Sequence, residues 1–292
     1  MQATDHVWTV KAALDWTVGF LGERDDEHPR RSAEWLLSAA TGLSRLEIYA
    51  YHDRPLSPEE RVTLRDGVKR RATGEPLQYV TGEMPFRHIV LRVERGVFIP
   101  RPETEILVEQ ALEFAAAGSI VSPTVVDLCS GSGCVGCSVA HELPGARVYA
   151  VDLSPQAAAT TRGNAERLGL SDRLTVLEGD LTSSLPEALL GKVDVVLSNP
   201  PYIPSADLPD LPEEVLGYEP HLALDGGADG LDVARRIIEE SRRWLRPGGL
   251  LAMELDERQV QNAVKLLSEW YEDGKAVRDL TGRDRIAAGL LR

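Results

Sequence analysis

Two periodicities divide the chain. Over residues 1–75 apolar positions recur at helical spacing. "VWTVKAALDWTVGFL" predicts one helix. "PRRSAEWLLSAA" predicts a second, entered through Pro29 and burying Trp35, Leu36 and Leu37. Ser57-Pro58-Glu59-Glu60 has the form of a capped helix start, and the amphipathic stretch "EERVTLRDGVKRRAT" continues it. Residues 76–99 change character: short runs of β-branched and aromatic residues punctuated by Gly82, Pro85 and Gly96 predict a β-hairpin. "PRPETEILVEQALEFAAA" then predicts a helix with an acidic first turn matched to its dipole. From residue 123 short apolar strands alternate with helices. "TVVDLC", "ARVYAVD", "RLTVLEGD", "VDVVLSN" and "LLAMEL" predict strands, and two further strands near 275–279 and 284–290 predict an antiparallel pair at the sheet's edge. Repeated βα units with apolar strands predict a mostly parallel sheet covered on both faces. The expected organisation is a small helical domain at 1–75, a hairpin linker at 76–99 and an α/β domain at 100–292.

Composition narrows the classes of partner. Of 292 residues, 43% are hydrophobic and 27% charged, enough for a large core. The formal net charge of −14 weighs against a protein living on a phosphate backbone, so direct nucleic-acid binding is not expected. No apolar run approaches the roughly 20 residues of a membrane span. "MQATDHVWTVKAALDW" lacks the basic start and apolar stretch of an export signal, which predicts a cytoplasmic protein. The three cysteines, Cys129, Cys134 and Cys137, lie within nine residues and exclude a disulfide framework. Cys134 and Cys137 form a C-x-x-C, readable as a redox pair, as half a zinc site, or as small residues where a helix packs behind a glycine loop. No second pair completes a metal site, and no metal is expected.

Candidate chemistry gathers where the strands end. "VVDL" runs into Cys129-Ser130-Gly131-Ser132-Gly133, a turn in which the backbone can approach a ligand closely. Asp152 closes the next strand, where an acidic residue commonly grips ribose hydroxyls. Gly131 to Gly136 match G-x-G-x-x-G, so a nicotinamide dinucleotide and a ligand-free tight turn are both open readings of this stretch alone. The wider region has a different pattern: Asp127 before the glycines, Asp180-Leu181 after the third strand, and Asn199-Pro200-Pro201-Tyr202 after the fourth. That order matches S-adenosylmethionine-dependent methyltransferases.

The prolines at 200 and 201 end a strand, because neither can donate to a ladder. They also offer carbonyl oxygens without N–H groups, and Asn199 adds a side-chain oxygen. Such a site suits a planar NH2 group held by both hydrogens, with the Tyr202 ring packed on its plane. Orientation and acceptor electrostatics would then supply most of the catalysis. The tetrapeptide alone leaves adenine N6, cytosine N4 and glutamine amides open, and a bare strand terminator is the non-functional alternative.

Several further stretches resemble the peptide chain release factor N5-glutamine methyltransferases, the HemK/PrmC family: "GEPLQYVTGEMPF", "VFIPRPETEILVE", "YEPHLALDGGADGLDVARRII" and "DLTGRDRIAAG". The resemblance covers nearly the whole chain and weakens in residues 1–70. It implies a Rossmann-like class I methyltransferase with a seven-stranded sheet and a small N-terminal helical domain. It also implies methyl transfer from S-adenosyl-L-methionine to the glutamine of the Gly-Gly-Gln motif in bacterial release factors. Carried over, Cys129 to Gly133, Asp152, Asp180, Leu181 and Asn199 would hold the cofactor. Asn199, Pro200, Pro201 and Tyr202 would hold the glutamine and form the catalytic set. Residues 100–105 would help cover the site, or Arg101, Glu103 and Glu105 would form structural ion pairs. The sequence departs from the family at Cys129 and Asp256, where Gly is usual, at Ser130, where Thr is common, and at His221, where Arg is usual. A nucleic-acid adenine-N6 methyltransferase is the competing enzyme reading; a non-catalytic protein retaining the fold is the third.

Overall fold

Helical periodicity over the first 75 residues becomes helices Val10–Gly22, Pro29–Thr41, Arg45–Ala50 and Pro58–Arg71 in the computed structural model, which describes residues 7–292. Their apolar stripes, including Leu14, Leu21, Leu36, Leu37, Ile48 and Val68, share one core. Leu36 and Leu37 are buried as the pattern predicts, while Trp35 is half-buried. Ser57 and Glu60 complete the expected capping box. This unit runs to Gly82 and includes Glu213–Tyr218. Within it, Arg71 pairs with Asp26 at 2.7 Å and with Glu214 at 3.0 Å.

The hairpin predicted over 76–99 is shorter than its sequence pattern. Leu77–Thr81 is a helix, ended by Gly82 in the left-handed region (φ 76). Only Glu83–Phe86 (β1) and Ile89–Arg92 (β2) pair. The run "LQYVT" is rich in strand formers, but Pro76 opens a helical turn there and its carbonyl accepts from Val80 N at 3.1 Å. Propensity yields to local capping.

The second unit, Glu83–Pro212 with Glu219–Arg292, contains the sheet. Its strands are Thr124–Leu128 (β3), Arg147–Asp152 (β4), Leu174–Glu178 (β5), Val193–Ser198 (β6), Leu245–Glu254 (β7), Tyr271–Arg278 (β8) and Asp284–Leu291 (β9). Their spatial order is β5-β4-β3-β6-β7-β9-β8, parallel except for the pairs that β9 makes. β7 begins at Leu245, earlier than the pattern predicts, because Leu245 already pairs with Val193; the register then shifts, residues 246–249 are left unpaired, and Leu250 resumes the ladder opposite Val195. The terminal strands pair antiparallel as expected, with β9 lying between β7 and β8.

Alternation assigns successive residues to opposite faces. Val125, Val195, Leu197 and Ala252 pack with helices Glu105–Ala117 and Cys134–Glu142. Val126, Val196, Leu251 and Met253 pack with Asp232–Ser241 and Glu257–Leu267. Both faces are therefore covered, which explains why these strands read as continuous apolar runs. Chain order reverses between β3 and β6, and in open sheets the crevice outside that reversal is the usual ligand site.

Candidate active site

β3 delivers the chain into the loop Cys129–Gly133 at that reversal. Two residues of the loop, Gly131 (φ 57) and Gly133 (φ 82), are left-handed glycines, and Cys129 shares the conformation at φ 61. A family glycine at position 129 thus has a backbone reason, and the cysteine closes the same turn at a cost of about 1–2 kcal/mol. Gly133 faces away from the crevice: a Cβ there would lie 2.7 Å from Thr161 Cγ2. Asp127, fully buried under the loop, accepts from Gly136 N at 2.8 Å. Burial pushes its carboxyl up to about 7, partly offset by that N–H and assisted by the charge of Asp152.

Asp152 ends β4. Its Oδ2 accepts from Gly131 N and its Oδ1 from Ser154 N, each at 2.8 Å. Burial raises its pKa, while these amides and that of Leu153 work in the opposite direction. Each oxygen retains a lone pair for a further donor. Beyond β5, Asp180 is exposed and pairs with Arg236 at 3.0 Å, and Leu181 is buried with φ 48.

β6 ends at Asn199. Its Nδ2 donates to Thr104 Oγ1 at 3.2 Å. The Tyr202 carbonyl is already taken by Gln259 Nε2 at 2.8 Å. Among the described residues no donor reaches the carbonyls of Pro200 or Pro201. The glycines of "DGGADG" let a neighbouring loop press on this backbone: a Cβ on Gly226 would lie 2.7 Å from Tyr202 Cα. Burial raises the Tyr202 phenol, which keeps it neutral.

These strand ends share one cavity of about 310 Å³. Cys129, Ser130, Gly131 and Ser132 line it with Asp152, and Asp180 and Leu181 form a further wall. Asn199 to Tyr202 complete it. Of the residues expected to hold cofactor or glutamine, Gly133 alone does not line it. The Ser130 and Ser132 hydroxyls are buried without a partner.

The segment 100–105 does not line the cavity; Gly96, Val97 and Phe98 do. Arg101 instead pairs with the buried Glu219, which also accepts from Ile99 N at 3.3 Å. Glu105 accepts from Arg87 N at 3.1 Å. Asp256, the other departure from glycine, caps Glu257–Leu267 in a capping box with Gln259, the residue that holds the Tyr202 carbonyl. His221 is exposed on the turn His221–Ala223. Thr104, Glu254 and Gln259 escape a reading of the sequence. Only Glu254 carries a signal, as a lone carboxylate in the apolar run "LLAMEL".

Two family profiles match the chain: the PrmC N-terminal domain over residues 12–82 and the methyltransferase small domain over residues 102–210. The release factor glutamine methyltransferase of Geobacter sulfurreducens is 42% identical over 292 residues, covering 100% of both chains. That of Chlorobaculum tepidum is 40% identical over 285 residues, covering 96% of this chain and 97% of its own. Among solved structures, the T. thermophilus 16S rRNA N2 G1207 methyltransferase in complex with AdoMet and guanosine superposes with a TM-score of 0.52. It is 18% identical over 72% of this chain, which spans half of that one. That likeness shows the fold: a Rossmann-like class I methyltransferase sheet.

Proposed function

The chain belongs to the release factor glutamine methyltransferase family, and from that premise we propose that it methylates the side-chain amide nitrogen, N5, of the glutamine in the Gly-Gly-Gln motif of bacterial class I peptide chain release factors, with S-adenosyl-L-methionine as donor. The observation that carries this reading is the meeting of an acceptor-rich tetrapeptide, Asn199-Pro200-Pro201-Tyr202, with the glycine loop and Asp152 in one cavity.

The lining fits the donor. Asp152 has acceptor capacity left for ribose hydroxyls after binding its two amides. Leu181 and Asp180 offer an apolar and a polar flank for adenine. The loop Cys129–Gly133 would hold the methionyl part, and Asn199 would lie on the side of the donor methyl. When bound, S-adenosylmethionine supplies an electrophilic sulfonium methyl group.

The protein's own part is placement. Asn199 Oδ1 and the Pro200 carbonyl accept the two amide hydrogens of the glutamine. Held this way, the nitrogen lone pair is drawn out of conjugation and aimed along the transfer axis. The Tyr202 ring packs on the amide plane. Fixed acceptors also stabilise the positive charge that grows on nitrogen, at no cost of reorganisation. The proton leaves to water, so the reaction asks for no dedicated base.

The helical unit is proposed to dock the body of the release factor, and the cytoplasm, where such factors work, is the proposed location. Among the described residues no helix is long and apolar enough to cross a membrane. The net charge of −14 opposes the adenine-N6 alternative and a direct nucleic-acid partner. Incubation with methyl-labelled donor, a release factor and duplex DNA in one vessel separates the two. Label in the factor supports the proposal; label in DNA alone overturns it.

A further inference from the structure

The carbonyls of the loop Cys129–Gly133 are held from behind. Ser130 O accepts from Gly133 N at 2.7 Å. Gly131 O accepts from the Thr161 hydroxyl and Ser132 O from Asn164 Nδ2, each at 2.9 Å. Thr161 and Asn164 lie on the helix Pro155–Arg167, and both are fully buried. The rest of the Asn164 amide holds the end of β2: its Oδ1 accepts from Arg92 N at 2.7 Å, and its Nδ2 also donates to Arg92 O at 2.9 Å. Both N–H hydrogens and the oxygen are thus engaged, a set that neither Asp nor Leu of similar size can reproduce.

A trans peptide sets its C=O and N–H on opposite sides. With Gly131 O turned toward Thr161, the Ser132 N–H faces the other way, and among the described residues no acceptor reaches it. Ser130 and Ser132, 4% and 2% exposed, line the cavity with hydroxyls that have no partner. The helix Cys134–Glu142 starts at the same place without a side-chain cap, and Cys134 and Val135 line the cavity too. Its positive end adds to the field of the loop. The loop therefore presents donors to the cavity and turns its acceptors away.

Asp127 and Asp152 line the same cavity and would repel a bare anion such as phosphate. A zwitterion suits both sets of groups: its carboxylate meets the donors of the loop, and its ammonium meets Asp127. The amino-acid end of S-adenosylmethionine has that chemistry.

We propose that Thr161 and Asn164 are positioning residues for the methyl donor: by drawing the Gly131 and Ser132 carbonyls back, they turn the N–H and hydroxyl donors of the loop toward the carboxylate of S-adenosylmethionine. This rests on the cofactor reading given above.

Calorimetry on the full-length protein, with S-adenosylmethionine and its decarboxylated form as probes, tests this. The decarboxylated form keeps the adenosine, the sulfonium and the amine and lacks only the carboxylate. The wild type is expected to prefer S-adenosylmethionine by about 10–100-fold, the order of a charge-assisted hydrogen bond. Thr161→Val keeps the shape of the side chain and loses its donor. It is expected to weaken S-adenosylmethionine about tenfold and the decarboxylated form less than about threefold, so that the preference shrinks. Thr161→Ser keeps the donor and should restore the wild-type preference. A role confined to holding the loop together would weaken both probes alike. Asn164→Ala, which removes the donor to Ser132 O, should shrink the preference in the same way; Thr161→Val decides alone if that chain does not fold. An unchanged preference in Thr161→Val, or a wild type without preference, overturns the proposal and leaves the cofactor reading standing. A wild type that binds neither probe overturns both.

Discussion

Asn199→Ala removes one acceptor from the proposed grip while leaving the chain fold largely untouched. The side chain is tied to the protein by a single neutral bond, Nδ2 to Thr104 Oγ1 at 3.2 Å. Losing such a bond costs about 1 kcal/mol. In a chain of this size that lowers the melting temperature by about 2 °C. The catalytic loss is larger, because the missing oxygen is one of the two aimed where charge develops. Removing one pre-aimed partner of a developing charge typically costs about 3–4 kcal/mol, or roughly 10²–10³ in kcat. Cofactor affinity should fall less than about tenfold, since Asp152 and the loop Cys129–Gly133 keep their contacts. Single-turnover transfer from labelled S-adenosylmethionine to a release factor reads the first quantity, and calorimetry of cofactor binding reads the second. A variant with wild-type single-turnover rate would remove Asn199 from the mechanism. One that loses cofactor binding and rate together would make it a cofactor residue alone.

Further outcomes rest on the same geometry. Gly230→Ala places a Cβ 2.1 Å from the Tyr202 carbonyl oxygen at a residue with φ 74, so it should destabilise by about 2–4 kcal/mol in urea titrations and lower kcat by displacing the tetrapeptide. Asp152→Ala should weaken S-adenosylmethionine binding by about 10–100-fold, read by calorimetry, because it removes the proposed ribose acceptor and frees the amides of Gly131 and Ser154. Asp127, held by burial at about 7 in the folded chain against 3.8 ordinarily, binds a proton that the unfolded chain has released between those pH values. Its contribution to stability therefore falls as pH rises through that window, and Asp127→Asn, which keeps an acceptor for Gly136 N, should flatten the pH dependence of urea midpoints there.

Local pattern reveals those parts of this protein whose cause is local. Strands β3, β4 and β6 announce themselves because both faces of the sheet are covered, which makes their residues apolar without interruption. The glycine loop is legible because left-handed backbone selects glycine, and the acceptor tetrapeptide because two adjacent prolines cannot belong inside a strand. The hairpin looks too long in the sequence because "LQYVT" has the composition of a strand, and only the cap at Gly82 (φ 76) shows that it is a helix. What the pattern hides is pairing at a distance. Thr104 meets Asn199 across 95 positions, and Gln259 meets the Tyr202 carbonyl across 57. Thr104 looks like a spacer between two glutamates, and Gln259 looks like a surface position on an amphipathic helix. Glu254 is a middle case: a carboxylate in a buried strand is visible as an oddity, but its depth of burial is not. The role of Arg101 is likewise open in the sequence and is decided only when the folded chain places Glu219 beside it.

The identity of the methylated atom decides whether the proposed function holds. Wild-type protein, S-adenosylmethionine and a bacterial class I release factor are incubated together, and the factor is digested and mapped by tandem mass spectrometry. The predicted result is the added mass of one methyl group on the glutamine of Gly-Gly-Gln, absent when that glutamine is replaced by alanine. A methyl group on another residue, or undiminished labelling of the alanine variant, would contradict it.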